Sequence, residues 1–143
     1  MMTKANFIDR MARCVRLVGV PLGLVIGLIG MASASGNVDM AAASEQFKKS
    51  CGTCHTTDAS APPRQGPNLS QVIGRPSASL PDFEYSTALR DLKIIWSPET
   101  LDQWITNAAK MAPGTTMFYR QRNADRRALI IAYLVKSAEE KLN

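Results

Sequence analysis

The residues of this chain most able to do chemistry lie within five positions, Cys51-Gly52-Thr53-Cys54-His55. Two thiols three residues apart, followed directly by an imidazole, are the attachment pattern of a c-type haem. The two sulfurs can bond to the vinyl carbons of a porphyrin, and the His55 ring can ligate its iron. The motif therefore predicts one haem c, bound covalently through Cys51 and Cys54.

Two other uses of these thiols are weaker. A structural zinc site needs four ligands, but the one remaining cysteine, Cys14, lies in a predicted leader segment. A thioredoxin-like redox pair would sit at the end of a strand in a βαβ unit, and no strand pattern surrounds Cys51. We therefore expect a haem rather than a zinc or dithiol site.

The second axial ligand of the iron separates an electron carrier from an enzyme. The chain has one histidine, so a pair of histidine ligands is excluded, and an open iron would favour ligand binding or peroxide chemistry. The soft thioether of methionine is the remaining strong candidate. Met40 fits a helix core and Met111 ends a helix, whereas Met117 follows the turn Pro113-Gly114-Thr115-Thr116. We predict Met117 as the ligand, with Met111 as the alternative.

Residues 1–34 predict a signal peptide that is removed on export. Their start is basic, residues 17–32 are uncharged and almost wholly apolar, and Ala32-Ser33-Ala34 matches an A-x-A cleavage site. A short linker over 35–38 and a single domain over 39–143 would follow. We therefore expect a periplasmic protein.

An uncleaved membrane anchor is the alternative for this leader. The uncharged stretch continues to Val38, which approaches the length of a spanning helix, and Gly19, Gly23 and Gly27 could form a helix-packing face. Pro21 and the glycines would weaken that helix. A tether of about four to six residues would reach only ~10–15 Å, so we favour cleavage after Ala34.

The charge balance does not indicate a nucleic-acid-binding protein. Without residues 1–34 the chain keeps 109 residues, 13 of them basic and 11 acidic, for a net charge of +2. Nucleic-acid binding calls for a stripe of clustered cations. The one dense basic run is either a solvated surface or a partner-docking patch; it comprises Arg120, Arg122, Arg126 and Arg127.

The motif and the methionine must be positioned by helices and loops. Asp39 predicts the N-cap of a helix that runs through Ser50 into Cys51. Residues 56–81 are rich in Pro, Gly and Ser and predict a loop. One short helix is expected over 85–92, with Ser86 as its cap.

Two further helices complete the prediction. Ser97-Pro98-Glu99-Thr100 combines an N-cap serine, a proline at N1 and an acid in the first turn. That helix should end before Pro113-Gly114, and Asn123 should cap the last one. Each has an apolar face at helical spacing; the faces are Leu101, Trp104, Ile105 and Ala108, then Leu129, Ile130, Tyr133 and Leu134. The chain is predicted to be all-α, with long loops wrapped around a bound group.

Residues 47–134 resemble a class I cytochrome c, of the mitochondrial and bacterial c2 kind. The matching segments are Phe47, the haem motif at 51–55, Gly66-Pro67-Asn68-Leu69, Gly74-Arg75-Pro76, Phe83-x-Tyr85-Ser86, Ile94-Ile95-Trp96, Leu101, Pro113-Gly114-Thr115-x-Met117 and residues 129–134. The resemblance implies the class I cytochrome c fold, a few helices and long loops around one haem. A four-helix class II cytochrome would carry its motif near the C-terminus.

The resemblance also implies a role for each site residue. His55 would be the proximal and Met117 the distal iron ligand, and the Pro67 carbonyl would accept the other imidazole N–H. The haem propionates would be held by Arg75, Tyr85, Trp96 and Thr115. Two positions depart from the family: Trp104 stands where many relatives have a tyrosine that reaches the methionine sulfur, and Leu89 replaces an asparagine. Together they predict a drier, less polar distal side.

The implied function is a soluble one-electron carrier rather than an enzyme. The carrier is expected to be a monomer. It would dock transiently on membrane redox complexes, namely a quinol–cytochrome c reductase and a terminal oxidase or photosynthetic reaction centre. A peroxidase-like enzyme with a labile Met117 and a membrane-tethered carrier are the alternatives.

Overall fold

The computed structural model of the protein describes residues 38–140. The predicted signal peptide and all but the last residue of the linker lie outside this range. Within it the fold is all-α, as predicted, and no helix in this part of the chain is long and apolar enough to span a bilayer. The helices are α1 (Met40–Ser50), α2 (Thr87–Leu92), α3 (Pro98–Thr106), α4 (Ala108–Met111) and α5 (Ala124–Glu139).

Helix α1 carries the chain into the haem motif. The Asp39 side chain accepts hydrogen bonds from the N–H groups of Ala41 and Ala42, as the cap prediction required. The helix ends where Gly52 comes so close to the previous turn that a Cβ there would lie 2.7 Å from the Lys48 carbonyl oxygen. Glycine at this position therefore lets the chain turn sharply between the two cysteines.

The core lies where α5 packs against α1 and α3. Phe47 of α1 stacks on Tyr133 of α5, with ring centroids 4.5 Å apart. The buried residues of α5 are Ile130, Ile131 and Leu134. Ile131 was not part of the predicted apolar face, and Tyr133, which was, is only half-buried. The apolar stripe on α5 is therefore slightly rotated from its predicted position.

Helix α3 begins as predicted but ends early. The Ser97 and Thr100 side chains form a reciprocal capping box, with Pro98 in the first turn. The prediction of one helix up to Pro113 was wrong, because Asn107 adopts an extended backbone and separates α3 from α4. Its side chain accepts the Lys110 N–H and so caps the new helix, a local bond with which asparagine competes against helix continuation.

Loops connect these helices and provide much of the surface around the site. No regular strand forms between residues 38 and 140; a single bridge pairs Pro76 with Ile95. This bridge is extended by the Trp96 N–H, which donates to the Arg75 carbonyl at 2.9 Å, and by the Gly74 N–H, which donates to the Trp96 carbonyl at 2.7 Å. The backbone thus holds Arg75 beside Trp96.

Candidate haem site

A cavity of about 370 Å³ lies between the haem motif, the loops and helices α3 and α5. All nine residues predicted for the site line it, although they come from six separate segments of the chain; they are Cys51, Cys54, His55, Pro67, Arg75, Tyr85, Trp96, Thr115 and Met117. Most of the wall is apolar, with Leu89, Trp104 and Ile130 among its members. The fold therefore brings together the side chains that the sequence analysis selected.

The His55 ring is held in one tautomer. Its Nδ1 lies 2.8 Å from the Pro67 carbonyl oxygen, which can only accept, so Nδ1 carries the proton and Nε2 keeps a free lone pair. Burial lowers the pKa of His55, partly offset by this bond. Burial, the larger effect, favours a neutral imidazole, and the bond to Pro67 fixes its orientation; an oriented neutral ring is the form that ligates a metal.

Gly66 makes this placement of His55 possible. A Cβ at this position would lie 2.7 Å from Nδ1 and 2.8 Å from Nε2 of the ring. The backbone of the Gly66-Pro67 segment can therefore approach the imidazole only because the side chain is absent. Gly66 thus allows close approach, and Pro67 supplies the hydrogen-bond acceptor.

The Cys51 thiol differs from the reactive thiol of a redox pair. Neither Cys51 nor Cys54 is in a disulfide, and the Cys54 Sγ donates to Gln65 Oε1 at 3.1 Å. Burial, assisted by the neighbouring Cys54, raises the pKa of Cys51 to about 12. Reactive dithiols have lowered thiol pKa values. Residues 38–140 also contain no cluster of three or more metal-ligating side chains.

Met117 rather than Met111 faces the cavity. The Trp104 indole Nε1–H donates to the Met117 sulfur at 3.0 Å, and the Met117 N–H reaches Thr115 Oγ1 at 3.4 Å. Gly114, at a φ of +95°, makes the preceding turn. Met111 packs against the hydrophobic core and is not part of the cavity wall. Geometry therefore favours Met117 of the two candidates.

Arg75 provides a positive charge at the cavity wall. Its guanidinium donates to the Ser70 carbonyl at 3.0 Å and to the Asn68 carbonyl at 2.8 Å. Burial lowers the pKa of Arg75, with smaller opposing effects of Tyr85 and Asp82, but the charge is retained because guanidinium does not deprotonate in proteins. No carboxylate of the described chain forms an ion pair with it. A half-buried cation of this kind favours an anionic group beside it.

Tyr85, Trp96 and Thr115 are buried around the same cavity. Burial raises the pKa of the Tyr85 phenol, so this residue is a neutral donor. Each of the three side chains has a group that can donate a hydrogen bond to a carboxylate. Their propionate-binding role remains a prediction from the resemblance, and their position is compatible with it.

The cavity fits the predicted haem by its chemistry. A haem is a flat apolar ring with two carboxylates, and the wall combines apolar side chains with one cation and several neutral donors. One ring nitrogen and one thioether, from segments 62 residues apart in sequence, supply the two kinds of axial ligand. The two free thiols lie in the same wall.

Two cavity residues, Phe118 and Tyr119, were not selected from the sequence. Phe118 is the most exposed large apolar side chain of the described residues, at 85%. Tyr119 is partly buried against the core, and its hydroxyl accepts from Gln121 Nε2 at 3.0 Å. Their position directly after Met117 is the signal that could have identified them.

Comparison with known proteins finds similarity to one family. A family model described as Cytochrome c matches residues 40–138. A cytochrome c from Sesamum indicum is 42% identical over 89 residues, which cover 62% of this chain and 80% of that protein. A cytochrome c type-1 from Ascaris suum is 38% identical over 98 residues, 68% and 87% of the two chains. A cytochrome c 2.1 from Caenorhabditis elegans is 40% identical over 95 residues, 65% and 85%.

Proposed function

Because this chain belongs to the cytochrome c family, with its class I fold and one haem c bound through Cys51 and Cys54, we propose that it transfers single electrons with His55 and Met117 as axial ligands. Family membership makes the chain an electron carrier. The observation that carries the finer proposal is that the Met117 sulfur and the His55 ring line one cavity. When bound, the haem supplies an iron that changes oxidation state by one electron.

The protein's own contribution on the proximal side is orientation. The Pro67 carbonyl fixes the His55 ring and its tautomer, and Gly66 permits that contact. A bond from a ligating histidine to a carbonyl also makes its other nitrogen more basic. The imidazole is thereby prepared to ligate without rearrangement.

On the distal side, Met117 would hold the iron through its thioether and so leave no place on the metal for a substrate. A thioether favours the reduced metal relative to nitrogen ligands, which raises the reduction potential. The apolar side chains of Leu89 and Trp104 line this part of the cavity, and such a wall disfavours water beside the metal. Both effects favour electron exchange and disfavour chemistry on a bound reactant.

The segment after Met117 is the proposed docking face. Phe118 is exposed at the cavity rim, and Arg120, Arg122 and Arg126 are exposed beyond it. None of these three arginines forms an ion pair in the described part of the chain. An exposed apolar side chain followed in the chain by unpaired cations suits a partner whose surface combines apolar and acidic groups.

The proposed partners are membrane redox complexes. A quinol–cytochrome c reductase would donate the electron, and a terminal oxidase or photosynthetic reaction centre would accept it, each by transient docking of a monomer. The basic and apolar leader of residues 1–34 supports export to the periplasm. The N-terminus of protein purified from its host tests this localisation, because cleavage leaves Ser35 first and a retained anchor leaves a residue near Met1.

A redox titration with visible spectra on the haem-loaded protein tests the function. We expect a reversible one-electron transition, a low-spin oxidised form at neutral pH and negligible peroxide turnover. High-spin ferric iron together with appreciable peroxide turnover would instead support the peroxidase-like alternative.

A further inference from the structure

The side chain of Asn68 binds three backbone groups beside the haem cavity. It belongs to a residue that is 7% exposed. Its Nδ2 donates to the Asp58 carbonyl at 2.7 Å and to the Ala61 carbonyl at 2.9 Å, and its Oδ1 accepts the Ser70 N–H at 2.8 Å. Because carbonyls only accept and an N–H only donates, one orientation of the amide satisfies all three bonds. Both amide protons and the amide oxygen are therefore used.

The backbone at Asn68 carries two acceptors that act on the site. The Pro67 carbonyl accepts the His55 Nδ1–H at 2.8 Å. The Asn68 carbonyl, one peptide further along, accepts from the Arg75 guanidinium at 2.8 Å. The imidazole and the cation at the cavity wall are thus held by the carbonyls of two consecutive residues.

The segment that contains these carbonyls is bound to the haem motif and to the loop that follows it. The Gly66 N–H donates to the Cys54 carbonyl at 2.8 Å. The Leu69 N–H donates to the Thr56 carbonyl, also at 2.8 Å. The Asn68 side chain adds two bonds to the same loop. Because removal of its donors would leave both loop carbonyls without this partner, the segment should then shift more easily.

From this geometry we infer that Asn68 is a positioning residue that fixes the proximal imidazole and the Arg75 cation together, through the Pro67 carbonyl and its own. The inference rests on the proposed ligation by His55. A displaced Pro67 carbonyl would release the orientation of the ring, and a displaced Asn68 carbonyl would release the guanidinium. Loosening at one of these groups should therefore accompany loosening at the other.

The test compares the haem-loaded, reduced wild type with Asn68→Asp. Aspartate has nearly the same shape and keeps an acceptor, but at neutral pH it has no donor for the two loop carbonyls. By NMR we expect hydrogen exchange of the His55 Nδ1–H and of the Arg75 side-chain N–H groups to become about tenfold faster. The reference is backbone N–H exchange of Ile130 and Leu134 in α5. Core groups of this kind report global unfolding, so the ratio removes a general loss of stability.

Asn107→Asp is the matched control. The Asn107 side chain accepts the Lys110 N–H at 3.2 Å, a bond that aspartate can also accept, and the residue is not part of the main cavity wall. The substitution adds the same negative charge as Asn68→Asp. We expect wild-type exchange ratios in this control. Wild-type ratios in Asn68→Asp, or a change at only one of His55 and Arg75, would overturn the inference.

Two readouts separate this inference from the proposed function. If the His55 ring protons of the reduced wild type lack the ring-current shifts that a haem imposes on an axial ligand, the ligation proposal fails. If these shifts are present and Asn68→Asp leaves the exchange ratios unchanged, only the inference fails.

Should Asn68→Asp not fold, hydrogen exchange in the wild type decides. The Asn68 amide protons and the His55 Nδ1–H should then exchange through one common opening, with the same dependence on low denaturant concentrations. Rapid exchange of the Asn68 amide while the His55 Nδ1–H stays protected would contradict the inference.

Discussion

At the scale of single residues, the site depends on how closely the backbone can approach His55. Gly66→Ala would place a methyl group against the ring, 2.7 Å from Nδ1. We expect the ring to be displaced, the bond to Pro67 to be lost, and the yield of low-spin haem protein to fall several-fold. Visible spectra of the purified variant measure this.

Gly74→Ala is the control for that substitution. Gly74 has a φ of +80° but open space around a Cβ, so alanine there should destabilise the fold by about 1–2 kcal/mol without changing the haem spectrum. Equal spectra and yields for Gly66→Ala and wild type would contradict the steric account of His55.

Arg75 allows charge and geometry to be separated. Arg75→Lys keeps the positive charge but loses the planar guanidinium that reaches the Ser70 and Asn68 carbonyls. The free energy of unfolding should therefore drop by about 1–3 kcal/mol, while the reduction potential should stay nearly unchanged. Arg75→Leu also removes the cation, which should lower the potential because a nearby positive charge disfavours the oxidised state. Voltammetry and urea unfolding of both variants measure these effects. Equal potentials in the two variants would show that the charge does not act on the haem.

At the scale of elements, one ion pair connects α3 and α5. Arg127 Nε lies 2.7 Å from Asp102 Oδ1, and the arginine side chain is only 14% exposed. The guanidinium also donates to the Gln121 and Arg122 carbonyls. Arg127→Met should therefore reduce unfolding free energy by about 1–3 kcal/mol, since it leaves half-buried acceptors unpaired.

Lys136→Met is the comparison for Arg127→Met. Lys136 faces Glu139 at 4.0 Å with both side chains about half exposed or more, and such surface pairs contribute about 0–1 kcal/mol. Urea unfolding of both variants gives the two values. Similar losses would mean that the α3–α5 ion pair has no special structural role.

The helices were largely predictable because their caps are local. Asp39, Ser86, Ser97 and Asn123 each accept a backbone N–H of the first turn, as their residue types indicate. The break at Asn107 was not predictable, because apolar residues continue at helical spacing on both sides of it. Lys93, which ends α2 at a φ of +47°, gave no signal either, since glycine is the residue expected there.

The site was predictable to a similar degree. The motif at 51–55 and the turn before Met117 can be recognised from residue type and spacing. Contacts between loops do not: the bond from Cys54 to Gln65 and the exposure of Phe118 arise only once the chain is folded. The identity of Trp104 suggested a changed distal side, but the structure was needed to show which atom its N–H reaches.

At the scale of the whole molecule, charge determines how the protein meets its partners. After removal of the predicted leader the net charge is +2, so long-range attraction is weak. We expect the association rate with the proposed reductase partner to fall only modestly between low and physiological ionic strength. Stopped-flow measurements over this range would contradict the account if the rate fell steeply.

Two charge reversals locate the docking face. Arg122→Glu, in the exposed segment after Met117, should slow association several-fold at low salt, whereas Lys49→Glu on α1 changes the net charge equally and should have a smaller effect. Equal slowing by both variants would mean that net charge, rather than a defined face, governs the encounter.

The central claim is that the iron is closed on both sides, by His55 and by Met117. The most direct measurement is the sulfur-to-iron band of the oxidised protein at neutral pH, in wild type, Met117→Ala and Met111→Ala. We expect the band in wild type and Met111→Ala and its loss in Met117→Ala. A wild type without the band, or a band that survives in Met117→Ala, would contradict the account.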